Sequence, residues 1–119
     1  MFNSDDFDDL KGRTQAFTLR IIKLVQSLPK IMEAQEIGRQ LLRSGCSVGA
    51  NTRSAFRGRS KKEFVAKLGI VIEEADESQF WMEILIKSEI MKENKLKSLL
   101  TEANELVAIF TSISKRNKP

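Results

Sequence analysis

The chain has 119 residues, no histidine or tyrosine, a single cysteine and a formal net charge of +4. That length suits one domain, able to bury about two thirds of its unfolded surface without a disulfide or a metal. Cys46 has no partner in the chain, so an intramolecular disulfide is excluded, as are a histidine-ligated zinc site and any histidine-based catalytic triad.

Two prolines, six glycines and 30% charged residues, with little alternation of apolar and polar positions, predict an all-α chain. The first ten residues hold four acids and no base, unlike a signal peptide, and no apolar run approaches the roughly 20 residues that span a bilayer. A soluble cytoplasmic protein with no membrane partner is expected. Residues 1–8 and 115–119 read as frayed tails of one domain spanning 1–119.

The first helical pattern runs from about Leu10 to Leu28, with Phe17, Ile21, Leu24 and Val25 on its apolar side, and Pro29 ends it. The second starts near Lys30 to Glu33 and carries Ala34, Ile37, Leu41, Val48 and Ala55 on one stripe as far as about Arg57, before Gly58. Beside it Gly38, Leu42, Gly45 and Gly49 form a small-residue stripe suited to close approach of another helix. Ser60 and Glu63 make a capping-box pattern, opening a long third helix through Phe64, Leu68, Val71, Ala75, Met82 and Ile86 to about Lys92. Asn94 marks the break. Leu96, Leu99, Leu100, Ala103, Leu106, Val107, Phe110 and Ile113 define the fourth helix. Three short connections favour an antiparallel up-down-up-down four-helix bundle.

Two of the helices carry more apolar surface than one core stripe requires. Between Phe80 and Ile86 only Glu83 is not apolar, and Leu19 and Ile22 lie opposite the Phe17 and Ile21 face. Leu19, Ile22, Phe80, Trp81, Ile84 and Leu85 are therefore expected at an interface between copies or with another protein. The alternative is a wide core stripe with a few exposed side chains.

Charge is arranged in blocks. Residues 51–70 carry Arg53, Arg57, Arg59, Lys61, Lys62 and Lys67 against Glu63 alone, and residues 71–90 carry six acids against Lys87. At 100° per residue Arg39, Arg43, Arg53 and Arg57 fall within about 80° of arc, opposite the core stripe. With Arg59, Lys61, Lys62 and Lys67 they make a basic track able to follow a phosphate backbone. Equally, the arginines can pair with the acids of helix three or of a neighbouring copy.

No catalytic constellation is found. Gly45 to Gly49 lies within a helix and lacks the following Gly-Lys-Ser/Thr of a phosphate loop. The run Glu73, Glu74, Asp76 and Glu77 has spacings seen in di-metal bundles, but those sites also use histidine, so no metal and no cofactor are expected. A polar network in which Glu74 or Glu77 accepts from Asn51 or from an arginine of helix two is the better reading. Cys46 lies among arginines that can favour its thiolate, although a packing role suffices. The chain is read as not an enzyme.

Helices two and three read Arg-Gln-Leu-Leu-Arg-Ser-Gly-Cys-Ser-Val-Gly-Ala-Asn over 39–51, Ser-Lys-Lys-Glu-Phe-Val-Ala-Lys-Leu-Gly-Ile over 60–70 and Glu-Glu-Ala-Asp-Glu-Ser-Gln-Phe-Trp-Met-Glu-Ile-Leu over 73–85. These motifs resemble the bacterial four-helix-bundle family encoded in intervening sequences of large-subunit ribosomal RNA genes, the ribosomal S23-like or intervening-sequence proteins. Nearly the whole chain takes part, from the Leu28-Pro29 turn to the last helix. The resemblance implies a left-handed bundle in a homopentameric ring. A superfamily relative, the accessory protein of diversity-generating retroelements, associates with nucleic acid and a reverse transcriptase. Cys46 departs from the family's usual threonine or alanine. Thr52-Arg53-Ser54 stands where many members have an acid, which makes this surface more basic. Together these readings predict a homo-oligomer that binds RNA or DNA, RNA being favoured, with a protein-interaction scaffold as the alternative.

Overall fold

The computed structural model describes residues 4–118, with side-chain surroundings from residue 7 onward. Four helices follow one another: α1 (Ser4–Gln26), α2 (Met32–Phe56), α3 (Lys61–Lys87) and α4 (Glu93–Asn117). Each packs on its chain neighbour, and α1 closes loosely on α4, whereas the backbones of the diagonal pairs, α1 with α3 and α2 with α4, stay further apart. This is an antiparallel four-helix bundle with extents of 45 × 22 × 20 Å.

Each helix buries one stripe at three- and four-residue spacing. Phe17 and Ile21 from α1, Leu41 and Val48 from α2, Leu68, Val71 and Met82 from α3, and Leu96, Leu106 and Phe110 from α4 are completely buried. Four hydroxyls inside the core are engaged. Thr14 and Thr52 donate to the carbonyls of Leu10 and Val48, each at 2.8 Å, and the Ser44 and Ser78 hydroxyls meet at 2.9 Å between α2 and α3.

The glycine stripe lies where α1 crosses α2. A Cβ at Gly45 would stand 2.6 Å from Ile21 Cγ2, and one at Gly49 would stand 2.7 Å from Thr18 Oγ1. The absence of both side chains lets the backbones approach, and Thr18 Oγ1 donates to the Gly45 carbonyl at 2.8 Å.

Several boundaries differ from the expected ones. Residues 4–9 and 115–117 are included in α1 and α4; residues 1–3 and 119 lie outside the described residues. Helix α3 stops at Lys87, short of Lys92. Glu89 takes a left-handed φ of 63°, its N–H reaches the Ile86 carbonyl, and the Ile90 N–H reaches that of Leu85. That bonding is a Schellman closure, with Ile90 folding back onto the core. At the other end Ser60 Oγ accepts from the Glu63 N–H at 3.0 Å, as the capping pattern predicts.

Candidate nucleic-acid interface

The motifs of α2 and α3 meet in space. Arg43 donates to Glu77 and, at 3.4 Å, to Glu74, whose side chain is only 18% exposed. Trp81 Nε1 donates to the same Glu77 carboxylate at 3.3 Å, and the Phe80 ring stands edge-on to Trp81 at 4.9 Å. Next to Arg43 and Glu77 in the chain, Ser44 and Ser78 point inward and form the buried hydroxyl pair. An arginine of α2 therefore fills the expected role opposite Glu74 and Glu77. Asn51 does not: its side chain donates to the Ser47 carbonyl and hydroxyl within α2.

That network divides the basic track. Arg39 and Arg43 are both exposed, but Arg39 pairs with Glu36 at 2.6 Å and Arg43 with the α3 acids. Arg53, Arg57, Arg59, Lys61 and Lys62 are exposed, Lys67 is half-buried, and none of the six joins an ion pair among the described residues. Arg43 and Arg53 are ten residues apart, or about 15 Å of helix. Uncompensated positive charge is thus gathered at the tip of the α2–α3 hairpin, where the α3 N-terminus adds its partial positive charge. On the far side of the same bundle end, Asp9 and Arg116 line a cleft between α1 and α4.

The expected interface residues do not form one patch. Leu85 is completely buried and belongs to the core: the apolar run is continuous around the helix, and Leu85 holds phase with Ser78 and Met82. Phe80 is 51% exposed, with Trp81 and Ile84 half-buried beside it on α3. Leu19, 62% exposed, and half-buried Ile22 lie on α1, diagonally across the bundle. Leu19 borders two clefts. One, between α1 and α4, has a volume of about 430 Å³; the other, between α1 and α2, contains Cys46 with Lys11 and Arg53.

Sequence reasoning missed the Arg13 clasp. Arg13 donates twice to Glu102, at 2.6 and 3.1 Å, tying α1 to α4 across their loose seam. The Glu102 hydrogen bond, helped by the charges of Glu102, Glu105 and Asp9, holds the guanidinium pKa above its ordinary value despite desolvation. No sequence spacing signals a contact between the first and last helices. Among the described residues no three His, Cys, Asp or Glu side chains converge as metal ligands, and no helix is long and apolar enough to cross a membrane.

An all-helical bundle with a motif-built network between its second and third helices defines the class. The 23S rRNA-intervening sequence protein model matches residues 9–112, and the chain belongs to that family. A crystal structure of a protein of unknown function from the S23 ribosomal protein family of Bacteroides thetaiotaomicron VPI-5482 is similar, with 32% identity and a TM-score of 0.80. The alignment covers 89% of this chain and 98% of that one. No curated protein matches.

Proposed function

We propose that this chain is a cytoplasmic, non-enzymatic homo-oligomer, a pentamer by family resemblance, that binds nucleic acid through phosphate contacts, RNA in preference to DNA. The observation carrying this reading is the α2–α3 tip, where Arg53, Arg57, Arg59, Lys61 and Lys62 are exposed without acidic partners among the described residues. Arg39 and Arg43, being paired, contribute less than the tip, and Lys67 extends it along α3. Such a surface positions a backbone without reading bases, so binding is weakly sequence-specific and steeply salt-dependent.

The test is RNA binding by the wild type and by the Arg53→Glu, Arg57→Glu double variant across a salt series. Loss of binding in the variant, and a fall in wild-type affinity with salt, are expected. Binding that survives moderate salt and is unchanged by the two substitutions refutes the reading. Half-exposed Phe80 favours a second reading, a scaffold that docks another protein on α3; loss of that partner in Phe80→Ala with RNA binding intact separates the two.

A further inference from the structure

Resting on the self-association just proposed, we infer that two separate faces of this chain are the complementary halves of one head-to-tail contact: the cleft between α1 and α4 receives the outer face of α3 from a second copy. The cleft is floored by Leu19, Leu24 and Met91 and edged by Arg20, Lys23 and Lys95, with no carboxylate in its lining. Leu19 exposes 62% of its surface there, and the three cations make no ion pair among the described residues.

The outer face of α3 carries the opposite pattern. At 100° per residue Glu73, Phe80 and Ile84 fall within about 40° of arc, facing away from the buried stripe. Asp76 and Glu83 border them along one side. Glu73, Asp76 and Glu83 are exposed and outside every ion pair among the described residues; of the cations on this face of α3, Lys87 lies beside them and Lys62 about 16 Å from Glu73 toward the helix N-terminus. An apolar centre with an acidic border therefore stands opposite an apolar centre with a basic border. Matching of this kind fixes which surfaces meet and suppresses like-with-like pairing.

Position decides the form of the assembly. The cleft lies on the seam of α1 with α4, and α4 is also the neighbour of α3, so the cleft and the outer face of α3 are inclined to one another rather than back to back. Both occupy the same end, because α1 and α3 run the same way in the up-down order, and Leu19 to Leu24 and Phe80 to Ile84 each lie in the last turns before Gln26 and Lys87. Unlike faces at one height join copies by rotation with little translation along the bundle axis, which closes a ring where an axial offset would build a filament.

Sedimentation and light scattering of the full chain test the pairing. Three variants are compared with the wild type: Lys23→Glu with Lys95→Glu, Glu73→Lys with Glu83→Lys, and all four substitutions together. All four residues are exposed, and circular dichroism checks that helicity is kept. Each double variant should associate at least about tenfold more weakly, and the fourfold variant should recover association. Wild-type association untouched by either double variant, or lost in both without recovery in the fourfold variant, overturns the pairing but leaves self-association standing. A monomeric wild type at high micromolar concentration overturns self-association itself.

Discussion

Gly45→Ala tests whether the close crossing of α1 and α2 sets the glycine's role. The added Cβ would meet Ile21 Cγ2, Cγ1 and Cβ at 2.6, 2.8 and 2.9 Å. Carbon atoms in good contact stand about 3.5–4.0 Å apart, so the overlap is about 1 Å, and a β-branched isoleucine in a helix has almost no alternative χ1 to relieve it. Overpacking of this kind costs about 1–3 kcal/mol. If the helices part instead, the Thr18 hydrogen bond to the Gly45 carbonyl goes, at about 1 kcal/mol. Alanine's better helix propensity returns up to about 1 kcal/mol. The balance is a loss of up to about 2 kcal/mol, read as a fall in melting temperature of several degrees. The control is Gly69→Ala, also within a helix but with nothing within 4 Å of the added carbon, where only the propensity gain acts. Thermal melts of the two variants should shift in opposite directions. A Gly45→Ala protein as stable as Gly69→Ala would refute the argument.

The Schellman closure predicts that Glu89→Gly stabilises the bundle by about 1 kcal/mol, because glycine takes a left-handed φ without the Cβ penalty; an unchanged denaturant midpoint would count against it. Arg43→Met removes the cation from Glu74 and Glu77. Since Arg43 is 54% exposed, the loss is modest, about 1 kcal/mol, but the Glu77 carboxylate that accepts from Trp81 loses its counter-ion. The emission of this single tryptophan should therefore shift, and an unaltered spectrum would show that Arg43 does not hold the acids in place.

Much of the architecture is legible along the chain because core stripes recur at a period the helix imposes. Six of the eight predicted α4 seam positions are buried, with Leu100 and Val107 half-buried, and the glycine stripe of α2 lies against α1. The end of α3 was hidden: Ile90 continues the helical phase after the backbone has left the helix, and a glutamate in the left-handed region carries no glycine signature. Leu85 was misplaced for the opposite reason, since an apolar run around a whole helix has no phase to read. At the candidate interface the residue types were visible, but neutralisation was not. Whether an arginine is free depends on which acid another helix brings within about 4 Å, and that separates Arg43 from Arg53 although they share a face.

The hairpin tip also bears on the stability of the fold. Five like charges within ten residues repel one another, and no carboxylate among the described residues neutralises them by an ion pair. The repulsion acts on the turn that joins α2 to α3, the seam carrying the Ser44–Ser78 pair and the Arg43 network. Counter-ions screen it, and a polyanion seated there would relieve it more completely. A ligand that binds only the native hairpin raises the free energy of unfolding as it binds. Polyanion binding at the tip and folding of the bundle would thereby be linked.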